Sequence, residues 1–341
     1  MNFRAVTDWF HTNKRSFPWR DDPTPYRVLI SEVMLQQTQA ERVIPFFLQW
    51  METFPSLEKV AAASEETIIK IWEGLGYYSR ARSLHKAAQN ITEHFNGQIP
   101  STKEELLTIP GIGPYTAGAI LAFAFHKKAA AVDANVIRVL SRVTEKNRTA
   151  QMIEPVLTDA LPNYQPWITM EALIELGALI CKRSPLCAQC PLSQSCLAKK
   201  HRTVHLHPPS KQQQHTSLWR DVALCVAKEK ILVCRRSGRG VMSGLYEFPF
   251  FESHPCGRKE EDFLSHLQAQ GLSVSAVRSL CYCKHSFTRY RATLYPMIFL
   301  SSSEFSWPQG KWIQIENLSK LPFSAGHKRI MKNFLSLWKV S

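Results

Sequence analysis

The sequence predicts a two-domain protein in which a mainly α-helical part precedes an α+β part. A length of 341 residues suits two domains. Apolar residues recur at helical spacing through the first 200 residues, whereas alternating segments typical of strands, such as DVALCVAKEKILVCRR and YRATLYPMIFL, occur only later. Between the two parts lies a polar stretch with two prolines and a glutamine run, which is typical of a linker. We therefore predict domains at 1–199 and 218–341, joined by a linker at 200–217.

The charge of the chain favours a polyanionic partner. The formal net charge is +14, and the excess is uneven. Residues 201–341 carry 20 Lys and Arg against 9 Asp and Glu, and residues 1–200 carry the remaining 22 against 19. The N-terminus has no apolar stretch of signal-peptide length, and the longest apolar run, AGAILAFAF, is less than half of the roughly 20 residues needed to cross a bilayer. We expect no membrane partner and a cytoplasmic, nucleoid-associated protein, or a nuclear or mitochondrial one in a eukaryote.

Four of the nine cysteines fall within sixteen residues, in the pattern C-x5-C-x2-C-x5-C. Without a secretory signal, a disulfide framework is not expected, so the thiols are predicted to be metal ligands. A cubane [4Fe–4S] cluster takes one thiolate per iron, and one close pair with two outlying cysteines suits it. Zinc remains the alternative, although zinc sites more often pair two close-spaced cysteine knuckles across a longer loop. The predicted ligands are Cys181, Cys187, Cys190 and Cys196.

The segment STKEELLTIPGIGPYTAGAI predicts two short helices joined by a tight turn. Ser101 and Glu104 form a capping box for the first helix. Gly111 and Gly113 are free to take positive φ in the turn, and Pro114 can open the second helix. The N–H groups of the turn and of the new helix would then form an anion site. Taken alone, the segment fits an ordinary helix–turn–helix joint equally well.

This segment resembles the helix-hairpin-helix of the base-excision DNA glycosylases, in which an acidic residue follows at the start of a later helix. AAAVDANVIRVLSR supplies Asp133 at that place. With the cysteine cluster behind it, the pattern is similar to the endonuclease III / MutY branch, and FPWR, SEVMLQQTQ and GLGYYSRAR resemble its adenine DNA glycosylases. The resemblance covers nearly all of the first 200 residues. One departure is visible, since five residues rather than the usual six separate the first two cluster cysteines.

The resemblance implies roles for four catalytic residues. Glu32 lies on a helix among apolar neighbours, which raises a carboxyl pKa and suits a general acid that protonates adenine N7. Asp133 would stabilise positive charge on the sugar, with Asn135 orienting the site. Tyr115 stands where bifunctional relatives carry lysine, so base removal without β-lyase activity is implied. Without the resemblance, Glu32 would be assigned to a solvated helix face and Asp133 to an N-cap.

The resemblance also implies DNA-contacting residues. The adenine pocket would be lined by Trp19, Arg20 and Glu171, and the gap left by the extruded base would be filled by Gln37 and Tyr77. Phosphate contacts are expected from Gly111, Gly113, Arg80, Arg82 and Lys86.

The second part resembles the Nudix-like domain that reads 8-oxoguanine in these enzymes. GLYEFP fits that domain well, and its recognition turn corresponds to Phe287, Thr288 and Arg289. Thr288 keeps a hydroxyl for hydrogen bonding, while Arg289 replaces a histidine. The helix EEDFLSHLQAQ lacks the acidic pairs that would hold magnesium, so Nudix hydrolase activity is not expected.

The combined prediction is a mainly α helix-hairpin-helix glycosylase domain with an iron–sulfur loop at 181–196, followed by an α+β Nudix-like domain. We expect a monomer that removes adenine opposite 8-oxoguanine or guanine in double-stranded DNA. One alternative is an endonuclease III-like glycosylase/lyase for damaged pyrimidines, opposed by Tyr115 and by the second domain. The other is a non-catalytic iron–sulfur DNA-binding protein, opposed by Glu32 and Asp133.

Overall fold

The computed structural model describes residues 1–209, 214–236 and 241–338. Residues 210–213 of the predicted linker lie outside the described residues. The chain forms two compact units: Met1–Ala63 with Arg82–Lys211, and Ser64–Ala81 with Gln212–Ser341. The segment Ser64–Ala81, which the sequence places in the first domain, therefore packs with the second unit.

Helices form the first part of the chain, as predicted from the apolar spacing. In chain order they are α1 Phe3–Asn13, α2 Pro18–Asp21, α3 Pro25–Leu35, α4 Ala40–Thr53, α5 Leu57–Ala62, α6 Glu65–Ile71, α7 Tyr78–His94, α8 Lys103–Thr108, α9 Pro114–Ala119, α10 Ala134–Thr144, α11 Ala150–Ala160, α12 Pro166–Leu179 and α13 Leu197–Lys200. A π-helical turn, Ile120–Ala124, continues α9. Helix α12 is apolar on most sides because it packs against both α1 and α10. No helix in the described ranges is long and apolar enough to cross a membrane.

The turn between α8 and α9 differs in two details from the prediction. Thr102, not Ser101, caps α8: its hydroxyl accepts the Glu105 N–H and donates to the Glu105 carboxylate. The predicted capping box was wrong by one residue, because the extended backbone that precedes the helix falls at Thr102. Gly111 takes φ +88° as predicted, but Gly113 has φ −97°, which any residue can adopt. A Cβ on Gly111 would lie 2.8 Å from the Ser83 Cβ, so the turn packs closely on α7.

The second unit contains a mixed sheet and, in the described residues after 213, two helices. The strands are β1 Thr216–Ala227, β2 Lys230–Arg235, β3 Tyr246–Glu247, β4 Phe250–Glu252, β5 Val274–Ser279, β6 Cys283–Phe287, β7 Tyr290–Ser301 and β8 Gly310–Gln314; the helices are α14 Glu260–Ala269 and α15 Ala325–Trp338. Strands β1 and β7 pair in parallel, and the other pairings are antiparallel. Alternate residues of β1 point to opposite faces, so Leu224 packs in the core with α15 and Cys225 in the core with α14. The predicted α+β composition is confirmed.

Candidate active site

A cleft of about 1160 Å³ opens in the first unit where α2, α3, α9, α10 and α12 converge. It is large enough to take a nucleotide. Residues predicted from different parts of the sequence meet in it. The predicted residues that line the cleft are Trp19, Arg20, Glu32, Gln37, Gly111, Gly113, Tyr115, Asp133, Asn135 and Glu171.

Glu32 presents a buried carboxyl to the cleft. It lies in the most buried part of α3 and is only 7% exposed. Burial raises the pKa of Glu32 to about 7, and the negative charges of Asp133 and Glu171 add to this effect. A hydrogen bond of 2.6 Å donated by the Tyr115 hydroxyl to Glu32 Oε2 opposes it. The cleft therefore contains a carboxyl that is partly protonated near neutral pH.

Asp133 caps α10 and faces the same cleft, so the capping role does not exclude the predicted chemical one. Its Oδ1 accepts the Val136 N–H at 2.8 Å, and its Oδ2 accepts the Asn135 side-chain amide at 2.6 Å. Burial raises the pKa of Asp133, while these hydrogen bonds oppose the rise. The Asn135 amide is held in turn by Arg138 at 2.7 Å. Two donors and the helix N-terminus favour a fixed carboxylate at this place.

Tyr115 lies in the first turn of α9, directly after the hairpin. Burial raises its pKa well above the ordinary value, and the nearby charges of Glu32 and Asp133 raise it further. The phenol therefore remains a neutral donor at any physiological pH. All three side chains line the same cleft, and both carboxyl groups act on the Tyr115 pKa.

Along one side of the cleft, the predicted residues Arg20 and Glu171 belong to a network of ion pairs that the sequence did not predict. Arg20 pairs with Glu171 at 3.4 Å and with Glu175 at 3.0 Å. Glu175 also accepts Arg15 Nε at 2.6 Å, and its side chain is only 1% exposed. Trp19 is buried beside Arg20, and its ring stacks on that of Phe17 at 4.8 Å. The signal for Glu175 was present, since it follows Glu171 by one helical turn on α12.

The predicted duplex-contacting residues fall in both units. Gln37 is exposed directly after α3, with φ +56°, and Lys86 is exposed on α7 next to the half-buried Arg82. Tyr77 and Arg80 belong to the second unit. Tyr77 is 42% exposed, whereas Arg80 is buried and its guanidinium lies 5.3 Å from the Tyr77 ring centroid. Burial lowers the pKa of Arg80 to about 10, and its phosphate contact stays a prediction.

The predicted recognition turn is a two-residue connection between β6 and β7. Phe287 pairs with Tyr290, which leaves Thr288 and Arg289 exposed at the tip. Thr288 has φ +47°, an uncommon conformation for a β-branched residue. The Arg289 guanidinium lies over the Tyr290 ring at 5.2 Å and donates to its hydroxyl at 3.1 Å. The turn thus exposes the Thr288 hydroxyl and the Arg289 guanidinium, which Tyr290 holds in place.

Comparisons with known proteins show the family of the chain. Residues 30–162 match the HhH-GPD superfamily of base excision DNA repair proteins, and residues 221–333 match the NUDIX domain. The chain is 31% identical to the adenine DNA glycosylase of Buchnera aphidicola subsp. Baizongia pistaciae, over 97% of this chain and 90% of the relative. It is 29% identical to the adenine DNA glycosylase of Homo sapiens, over 96% of this chain and 73% of the relative. The chain belongs to the adenine DNA glycosylase family. It is therefore an enzyme, a hydrolase of DNA N-glycosidic bonds.

Solved structures support the fold of this glycosylase. A thermostable thymine-DNA glycosylase aligns with a TM-score of 0.55 and 28% identity, over 58% of this chain and 95% of that one. Endonuclease III in a non-covalent complex with DNA aligns with a TM-score of 0.53 and 26% identity, over 59% and 94%. The helix-hairpin-helix prediction is confirmed, and DNA is the partner.

The four predicted cysteine ligands of this glycosylase line one small cavity between α10, α12 and the loop before α13. Arg142 is buried beside it and donates to Cys181 Sγ at 3.4 Å, to the Lys182 carbonyl at 2.6 Å and to the His207 carbonyl at 2.8 Å. In the described part of the chain, no three His, Cys, Asp or Glu side chains are placed to hold one metal ion. The donor set is four thiols around a shared space, which fits the iron–sulfur cluster that the family relationship suggests.

Proposed function

We propose that this glycosylase removes adenine mispaired with 8-oxoguanine or guanine by hydrolysis, without cleaving the DNA strand. The observation that carries the proposal is the pairing of Glu32 and Asp133 in one cleft. One carboxyl has a pKa near 7, and the other is fixed by two hydrogen bonds. Two carboxyl groups in different environments suit the acid and charge-stabilising roles of glycosidic bond cleavage.

Glu32 supplies the proton in this mechanism. The adenine nucleotide first leaves the duplex, at a cost of a few kcal/mol in stacking and pairing. Because burial raises the Glu32 pKa to about 7, a large share of molecules hold the proton at neutral pH. Transfer of that proton to adenine N7 makes the base a neutral leaving group, and the C1′–N9 bond then breaks. Tyr115 keeps the carboxyl aimed, since it donates to one oxygen and leaves the other free for the base.

Asp133 stabilises the sugar as the base leaves. Positive charge grows at C1′, and a preorganised carboxylate interacts with that charge more strongly than water would. Asn135 and the Val136 N–H fix the carboxylate, so little reorganisation is required. A water then adds to C1′ and loses a proton, which completes hydrolysis and leaves an intact abasic strand.

The absence of β-lyase activity rests on Tyr115. A phenol cannot condense with the sugar aldehyde, whereas the lysine of bifunctional relatives can. Lys182 also lines the cleft, so borohydride trapping is a direct test of this part of the proposal.

We further propose that Cys181, Cys187, Cys190 and Cys196 hold a [4Fe–4S] cluster with a structural role. One thiolate would ligate each iron, and the cluster would fasten the loop to the C-terminal end of α12. Arg142 supports this assignment, because its buried guanidinium binds carbonyls on both sides of the loop. The zinc alternative is less well supported by the cysteine spacing, since zinc sites more often pair two close-spaced cysteine knuckles across a longer loop.

The test uses the full-length protein and duplexes with adenine opposite 8-oxoguanine, guanine or thymine. We expect free adenine from the first two duplexes, strand breaks only after alkali, and no covalent complex after borohydride. Adenine release from none of the duplexes would contradict the proposal as a whole. Strand breaks without alkali, or a trapped complex, would contradict only the monofunctional mechanism.

A further inference from the structure

Tyr77 lies at the end of a short loop whose backbone is unusual. The loop joins α6 to α7 within the second unit. Gly74, Gly76 and Tyr77 have φ values of +111°, +82° and +50°. A non-glycine residue with positive φ costs about 1–3 kcal/mol, and such residues concentrate at functional sites. The exposed Tyr77 ring is therefore carried by a strained backbone.

Hydrogen bonds keep this loop rigid. The Gly76 carbonyl accepts the Trp72 indole N–H at 2.9 Å and Arg80 Nη2 at 3.1 Å. The Arg80 guanidinium lies between the Trp72 and Tyr77 rings, 5.4 Å and 5.3 Å from their centroids. The position of the Tyr77 ring is consequently fixed by Arg80 and by the end of α6.

Glu73 fastens the end of α6 to the rest of the second unit. Its side chain is 4% exposed and accepts from three donors. Oε1 accepts the Phe323 N–H at 2.9 Å, and Oε2 accepts Lys328 Nζ at 2.6 Å and Lys70 Nζ at 3.1 Å. Lys70 also donates to the Ser319 carbonyl at 2.8 Å. Three donors compensate the cost of burying the Glu73 carboxylate, and their directions fix its position.

Helix α15 connects this attachment to the recognition turn. Lys328 lies in its first turn, and Arg329 beside it donates to the Lys284 carbonyl on β6. Gly326 packs so closely on His285 that a Cβ would lie 2.8 Å from its Nδ1. The His285 ring contacts Phe287, with centroids 5.1 Å apart. A continuous series of contacts thus connects the α6–α7 loop with the recognition turn.

We propose that Glu73 is a positioning residue that couples Tyr77 to the recognition turn. The inference rests on the proposed function, in which the turn contacts the base opposite adenine and Tyr77 fills the gap in the duplex. When 8-oxoguanine engages Thr288 and Arg289, the Glu73–Lys328 pair holds α6 in the position from which Tyr77 enters the duplex. Binding energy at the turn then stabilises insertion of Tyr77, and the preference for 8-oxoguanine depends on both.

The experiment measures affinities of the full-length protein for duplexes that cannot be cleaved. A tetrahydrofuran abasic analogue is placed opposite 8-oxoguanine or guanine, and anisotropy gives the ratio of the two Kd values. We expect Glu73→Gln to reduce this ratio by about fivefold. In a Tyr77→Ala background the same substitution should have no further effect. Lys328→Met removes the partner instead, and it answers the question if Glu73→Gln unfolds the protein.

Glu304→Gln is the matched control, because it breaks the exposed Lys230–Glu304 pair in the same unit and should not alter the ratio. Equal effects of Glu73→Gln with and without Tyr77 would overturn the coupling, as would an unchanged ratio in both the Glu73→Gln and the Lys328→Met variants. The outcome is separable from the proposed function. Adenine release with an unchanged ratio rejects the coupling alone, whereas a Glu73-dependent ratio without adenine release rejects the proposed reaction alone.

Discussion

Glu32 and Glu175 are both buried glutamates beside the same cleft, yet their pKa values shift in opposite directions. Burial alone would raise the pKa of both glutamates. At Glu32 burial, together with the charges of Asp133 and Glu171, outweighs the Tyr115 hydrogen bond and the charge of Arg20, so the pKa is raised. At Glu175 the hydrogen bonds and charges of Arg15 and Arg20 outweigh burial and lower the pKa. Burial and the charged partners together determine whether a glutamate in this cleft keeps its proton near neutral pH or is ionised.

The difference assigns separate tasks to the two sides of the cleft. In the proposed mechanism, the Glu32 side holds the proton that is transferred to the base. The Glu175 side keeps Arg20 and Arg15 in place, so that Arg20 can remain paired with Glu171 where the adenine is expected to bind. Replacing each glutamate by glutamine, which keeps the shape of the side chain and removes its charge, therefore tests the comparison.

The largest expected effect is on catalysis. Glu32→Gln should lower the single-turnover rate of adenine release by about 10²- to 10⁴-fold, because an amide cannot supply the proton. Glu175→Gln should cause a smaller loss in rate, since Glu175 would act on the base only by holding Arg20 in place. The measurement is single-turnover release from an A:8-oxoguanine duplex at pH 7. Equal losses in the two variants would contradict the division of tasks.

The next effect is on stability, and its sign should differ between the two variants. The raised pKa of Glu32 costs the fold stability as pH rises from 4.5 through 7, so at pH 8 Glu32→Gln should stabilise by up to about 3 kcal/mol. The lowered pKa of Glu175 contributes stability that is present above pH 4.5 and lost as pH falls. Glu175→Gln should destabilise by about 2–3 kcal/mol at pH 8, a value reduced because both arginines are partly exposed.

Urea unfolding of both variants at pH 8 and pH 5 measures this difference. The stabilisation from Glu32→Gln should shrink at pH 5, because the native carboxyl is then protonated. A destabilised Glu32→Gln at pH 8 would show that the carboxyl is not strained in the native protein.

Much of the Glu32 side could be predicted from sequence, whereas the long-range ion pairs of the Glu175 side could not. Glu32, Tyr115 and Asp133 each stand in a local motif with a recognisable role, and the fold then brings them together. The pairs of Glu175 span 155 and 160 residues along the chain, and the Glu73–Lys328 pair spans 255. Local periodicity contains no information about such distant partners, so neither the Arg15 contact nor the place of Ser64–Ala81 in the second unit was expected.

Local signals also failed at single positions where two residues compete for one role. Ser101 and Thr102 are both good N-caps, and only the observed backbone selects Thr102. Gly111 and Gly113 are equally free to take positive φ, yet only Gly111 does. The composition permits either choice, and the close approach of Gly111 to Ser83 decides it.

The smallest effect concerns the hydrogen bond that tunes Glu32. Excision by the native protein should fall as pH rises through about 7, because Glu32 loses the proton it must donate. The Tyr115 hydroxyl stabilises the ionised carboxylate, so Tyr115→Phe removes a contribution that lowers the pKa. A hydrogen bond worth about 1 kcal/mol corresponds to a rise of roughly half to one pH unit in the midpoint. Single-turnover rates from pH 5 to 9 measure it, and Tyr164→Phe, at a fully solvated tyrosine of the same unit, is the control. A midpoint that stays in place or moves to lower pH would mean that Tyr115 does not act on the Glu32 proton.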